Sequence, residues 1–170
     1  MPMRHWLMKS EPSECSVDDV AKAPHRTVPW VGVRNYQARN FMRDEMQPGD
    51  GVLFYHSSCP EPGVAGLAEV ASTAYADATQ FDSASPYFDA KSPADAPRWL
   101  HVDVKLVRKT RLLALAELRV APTLAGMRVL ARGNRLSITP VTIEEWRAVQ
   151  ALLKQPAWPA AWAGWASSNC

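Results

Sequence analysis

The side chains best equipped for chemistry fall in short stretches of the chain. Lys9, Ser10 and Glu11 form one, Trp30, Val33, Arg34 and Asn35 a second, and Tyr55, His56 and Ser57 a third. Trp30 offers an aromatic face, although a tryptophan beside valines is equally at home in a core. Asn35 carries both an amide donor and a carbonyl acceptor, and it is also well suited to capping a helix. Ser10 and Glu11 can reach a pocket from the end of a strand or stand in a solvated turn led by Pro12. Tyr55, His56 and Ser57 supply hydroxyl and imidazole groups, which hydrogen-bond a ligand or, in an enzyme, act as acid, base and nucleophile. A triad needs an orienting carboxylate, and no spacing here establishes one; Glu11 and Asp50 are the candidates for a hydrolase or glycosylase.

Positive charge is local rather than global. Lys and Arg total 19 against 17 Asp and Glu, a net charge of +2, so any anion-binding surface must be a patch. Arg34, Arg39 and Arg43 lie in one segment, and Arg39 and Arg43, four apart, project from one side of a helix. Lys9 and Arg98 extend the set; Asp44 and Glu45 leave surface ion pairs as the alternative. Trp99, beside Arg98, suits a groove wall or a core. His5, His25, His56 and His101 are scattered, and Cys15, Cys59 and Cys170 form no CxxC pair, so neither a metal site nor a cofactor is expected. The thiols read as reduced. No signal peptide or membrane-length apolar run is evident, and the protein is expected to be soluble and cytoplasmic.

The elements that position these groups follow from periodicity. Trp6, Leu7 and Met8 read as a buried strand, and Ser16 with Asp19 caps a helix over 17–23. A second helix starts near Asn35, with Ala38, Phe41, Met42 and Met46 at helical spacing, until Pro48 and Gly49 break it. GVLFYH and VAGLAEVAS are strands, and alternation of Leu100, Val102, Val104 and Leu106 with polar neighbours marks another. Between them, residues 73–99 form a polar, proline-rich loop long enough to suggest function. RLLALAEL and PTLAGMRVLARG read as two short helices, RLSITPVT as a strand, and Thr142 with Glu145 opens a helix carrying Trp146, Val149 and Leu153. Strands mixed with short helices, and no glycine-rich phosphate loop, give an α+β class. Residues 1–154 read as one domain. Residues 155–170 form an uncharged tail with Trp158, Trp162 and Trp165 at helical spacing, expected to dock on its own domain or on a protein partner.

Taken in order, WLMKSEP (6–12), WVGVRNYQARNFM (30–42), GDGVLFYHSS (49–58), PYFDAKS (86–92), PRWLHVDVK (97–105) and RLSITPVT (135–142) resemble the EVE domain family over roughly residues 4–153. Two features depart from that pattern: the CPEPG loop at 59–63 and the tryptophan-rich tail. The resemblance implies a PUA-like mixed β-barrel flanked by short helices. It also implies nucleic acid as partner, DNA or RNA, with one modified base, such as modified cytosine, held in a pocket and no catalysis. A base lifted from its stack needs an aromatic face and a matched polar edge. On this reading Ser10, Glu11, Trp30, Val33, Asn35, Tyr55, His56 and Ser57 form the pocket, and Lys9, Arg34, Arg39, Arg43 and Arg98 meet phosphates.

Overall fold

The structure, a computed structural model, describes residues 3–157. Its centre is a six-stranded sheet built from β1 (His5–Ser10), β2 (Thr27–Pro29), β3 (Gly51–His56), β4 (Gly63–Val70), β7 (Asp103–Ala114) and β8 (Ile138–Val141). The hydrogen-bonded order is β2-β7-β4-β3-β1-β8. β1 and β3 run parallel, with Trp6 opposite Val52 and Ser10 opposite His56; the other pairs are antiparallel. A two-stranded ribbon, β5 (Tyr75–Ala76) with β6 (Leu100–His101), stands apart. The class is α+β, as the sequence predicts. Among the described residues no ladder joins β2 to β8, so strand pairing does not close a barrel. The two edge strands are short, and Pro29 and Pro140 lack the N–H that a further ladder would use.

Period-two alternation sends neighbouring side chains of β1 and β3 into separate cores. Trp6, Met8, Val52 and Phe54 join one cluster with Trp30, Val33, Phe41 and Met42. Leu7, Leu53 and Tyr55 join the other with Leu113, Leu118, Leu124 and Val149. The sheet is thus covered on both faces, which explains why GVLFYH reads as an almost unbroken apolar run. Helix α1 (Val17–Lys22) has the Ser16–Asp19 capping box, and α4 (Ile143–Leu153) has the Thr142–Glu145 box. Helix α2 (Tyr36–Asn40) begins at Asn35 and passes into a π-helical turn over Phe41–Glu45.

Two sequence expectations are corrected around residues 111–130. RLLALAEL is not a helix throughout: β7 continues to Ala114, pairing Leu113 with Val64, and only Leu115–Val120 turn into helix α3. The Glu117 carboxylate fixes the switch, accepting from the Ala114 N–H and from the Arg111 guanidinium. PTLAGMRVLARG holds only the 3-10 turns Pro122–Leu124 and Arg128–Leu130, separated at Gly126. Trp158, Trp162 and Trp165, with the expected tail docking, lie outside the described residues.

Candidate functional site

A cleft of about 890 Å³ opens where the parallel strands β1 and β3 end. Its wall is built from Lys9, Ser10 and Glu11 at the end of β1, Glu14 and Cys15 in the next turn, and Ser57 and Ser58 after β3. The segment Val28–Arg34 forms the facing side, with Tyr87 from the long loop and Arg135 and Ser137 before β8 completing it. Local hydrogen bonds tie these strand ends together. The Ser57 N–H donates to the Ser10 carbonyl at 3.0 Å, the Lys9 N–H to the Ser137 carbonyl at 2.8 Å, and the Ser10 hydroxyl to the Cys15 carbonyl at 2.6 Å.

Trp30 is 7% exposed and packs edge-on against Phe54, with ring centroids 5.4 Å apart, while also lining the cleft. It therefore occupies both places the sequence left open for it, core and cleft wall. Val33 is buried beside it and also lines the cleft. At Gly32, φ is +88°, and a Cβ there would stand 2.7 Å from the Tyr87 ring. Only glycine satisfies both that backbone conformation and that approach. Tyr87 then crosses to the opposite bank, where its hydroxyl donates to Glu14 Oε2 at 2.6 Å. That bond pushes the phenol up to about 12, with burial adding to it.

The long loop is folded by buried polar groups rather than by an apolar core. Asp77 is fully buried; burial raises its carboxyl, but hydrogen bonds from Thr79, Gly32 and Arg34 outweigh this and hold it below the usual range. Gln80, also fully buried, donates to the carbonyls of Asp77 and Trp99 and accepts from Ser92 and from the Trp99 N–H. Arg34 closes this network. Its guanidinium donates to the Tyr87 and Val33 carbonyls, to Asp77 and to Thr79, so all five of its N–H groups have protein acceptors.

Several predicted site residues stand elsewhere, for reasons the geometry supplies. Asn35 does not line the cleft: its side chain accepts from the Ala38 N–H as the α2 cap. Strand alternation turns Tyr55 into the second core, where it is 3% exposed and burial pushes its phenol up to about 12. His56 faces a smaller depression of about 440 Å³ and accepts the Val17 N–H at Nε2. Burial lowers its pKa. Arg39 donates to the Arg98 carbonyl and to Asn40, with its guanidinium over the Tyr36 ring. Arg43 pairs with its neighbour Asp44, and Arg98 stands 3.9 Å from Asp89. Trp99 is buried, stacks on Tyr36 and donates its indole N–H to Asp89. Of the cations predicted to meet phosphate, Lys9 and Arg34 line the cleft, and burial lowers the Lys9 pKa.

Sequence reasoning missed Glu14, Tyr87, Arg135 and Ser137. Tyr87 and Ser137 lie within the motifs PYFDAKS and RLSITPVT, so the motifs held the signal, but only the fold brings them to β1. Among the described residues, no group of three or more His, Cys, Asp or Glu side chains is placed to hold a metal ion. None of their helices is long and apolar enough to cross a membrane.

Known proteins share this fold. Human thymocyte nuclear protein 1 is 44% identical over 166 residues, covering 87% of this chain and 73% of that protein. A crystal structure of human THYN1 protein in complex with DNA containing 5-methylcytosine superposes with a TM-score of 0.85 at 42% identity, over 91% of this chain and 99% of that one. A hypothetical protein from Leishmania major matches with a TM-score of 0.85 at 46% identity, covering 90% of this chain and 96% of that chain. The model of the EVE domain matches residues 4–152, and the chain belongs to the EVE domain family.

Proposed function

We propose that this protein is a DNA-binding reader that accepts one modified cytosine in the cleft between Trp30 and the ends of β1 and β3, without covalent chemistry. The observation that carries this reading is the cleft itself, in which an indole, a phenol, short hydroxyls and carboxylates converge beside Lys9 and Arg135. An extruded base needs that combination: flat apolar walls, directional polar groups for its edge, and cations for the flanking phosphates. The likeness to a THYN1 protein solved with 5-methylcytosine DNA makes DNA the first nucleic acid to test.

Of the groups an enzyme would use, Glu11 lines the cleft, whereas His56 and Asp50 stand away from it. His56 Nε2 already holds the Val17 N–H. Asp50 sits at the opposite end of β3, where it accepts from Arg4, Gln47 and the Trp6 indole. Neither group is presented to the cleft.

The test is binding of the purified protein to matched DNA and RNA oligonucleotides carrying cytosine or a modified cytosine at one position, at two salt concentrations. The reading expects tighter binding to one modified base, with the same salt slope for every ligand of one type. Trp30→Ala is expected to erase the preference while leaving the salt slope in place. Equal affinity for all bases, or product formation from the modified oligonucleotide, would contradict the reading.

A further inference from the structure

The arginines of this protein divide sharply by what their guanidinium groups touch. Arg4, Arg34, Arg43 and Arg111 pair with Glu45, Asp77, Asp44 and Glu117. Arg26 and Arg39 donate to backbone carbonyls. Arg128, Arg132 and Arg135 are exposed, and among the described residues none donates a side-chain hydrogen bond or has a carboxylate within ion-pair distance; Arg108, Arg119 and Arg147 share that state, but these three stand on one turn, which reaches the cleft at Arg135. Their charge is therefore uncommitted.

The segment that carries them is nevertheless well fixed. Met127 is 2% exposed in the second core, with Val129 and Leu130 packed on the same cluster. Above that anchor the chain folds on itself. The Ala131 N–H donates to the Arg128 carbonyl at 3.1 Å, the Asn134 amide to the same carbonyl at 2.6 Å, and the Leu136 N–H to Asn134 Oδ1 at 3.0 Å. Gly133 takes φ +76°, the left-handed turn that lets Asn134 reach back. The loop then enters the cleft wall through Arg135 and Ser137, and the Ser137 carbonyl holds the Lys9 N–H.

We infer that this arginine loop, residues 128–135, is the element that grips the DNA backbone beside the base held in the cleft; the inference rests on the reader function proposed above. A guanidinium fork binds phosphate oxygens in a planar, two-donor geometry, provided its N–H groups are not already taken. Here three such forks stand on one anchored turn that ends at the cleft, whereas the arginines predicted from helix spacing have protein acceptors. Phosphate contacts fix position along the nucleic acid and read no sequence, so the loop sets affinity and the cleft sets choice.

The experiment measures affinity as a function of salt for the full chain, on two duplexes that differ only in one 5-methylcytosine. Each phosphate neutralised contributes about 0.9 to the slope of log affinity against log salt. The double substitution Arg132→Ala with Arg135→Ala is expected to lower that slope by about 2 and to weaken both duplexes by the same factor. The Arg→Lys pair should keep most of the slope, since charge is retained. Arg4→Ala, which removes a charge at the far end of β1, should leave it unchanged. These arginines are exposed, so thermal midpoints are expected to stay at the wild-type value. An unchanged slope in the double alanine variant overturns the arginine loop, even if the wild type prefers the methylated duplex. A wild type without such preference overturns the reader function, and the slope still judges the loop. Absence of binding to either duplex overturns both.

Discussion

Two banks of the same cleft carry arginine, and they use it in opposite ways. On the bank formed by the long loop, Arg34 is the keystone of a buried network, with every N–H engaged by Asp77, Thr79, Val33 or Tyr87. On the other bank, Arg135 ends a turn whose exposed arginines meet no carboxylate among the described residues. Proximity to a cleft does not by itself leave a cation free for a ligand; its donors must also be uncommitted. The first bank is a shaped wall, and the second is a charged handle.

The comparison breaks first at Asp77, where the largest effect is expected. Asp77→Ala removes the acceptor shared by the Gly32 N–H, the Thr79 N–H and hydroxyl, and one Arg34 N–H, leaving Arg34 only its contacts with Val33, Tyr87 and Thr79. Losing one member of a buried pair costs about 3 to 5 kcal/mol, the lower end applying because Arg34 keeps some contact with solvent. Denaturant unfolding measures this. A loss under about 1 kcal/mol would show that the wall does not depend on the network.

Gly32→Ala is expected to cost about 1 to 3 kcal/mol, through a strained φ and the need to displace the Tyr87 ring. Its more telling consequence is in the cleft. Tyr87 should leave Glu14, and its titration should fall back from about 12 toward an ordinary phenol, which ultraviolet titration can follow. A variant with unaltered stability and titration would contradict the close packing of ring on glycine.

The smallest of these effects comes from pH. Burial lowers the His56 pKa below the unfolded value of about 6.5, with attraction to Asp18 only partly offsetting it. The folded state therefore binds fewer protons than the unfolded chain in the window below that value. The neutral ring contributes its full stability above about pH 6.5, and this is lost as pH falls through the window toward the folded pKa. A protonated ring would also set N–H against N–H at Val17. Thermal midpoints across that range should decline in the wild type and decline less in His56→Gln.

Much of the scaffold was legible in the sequence because it is locally encoded. The Ser16–Asp19 and Thr142–Glu145 boxes fix two helix starts, and alternation in β7 marks its first half. Residues 111–114 misled because Leu112, Leu113 and Ala114 favour a helix, while pairing with β4 holds them extended. The site was read less completely. Trp30, Val33, Ser10, Glu11 and Ser57 line the cleft, but Tyr55, expected beside them, is turned into the second core by strand alternation. Arg34, Arg39 and Arg43 form the visible basic cluster, and nothing in their spacing tells that Arg39 binds the Arg98 carbonyl. Arg135 and Tyr87 reach the cleft only through tertiary packing, which no local pattern encodes.

Whether the cleft reads a modified base is decided by the affinity of the wild-type protein for two duplexes identical except for one methyl group on cytosine. Burying that methyl in a fitted space is worth about 0.8 kcal/mol, or about fourfold in affinity, and a reader should prefer the methylated duplex by at least that factor at every salt concentration. Equal affinity for the two duplexes would contradict the reader function.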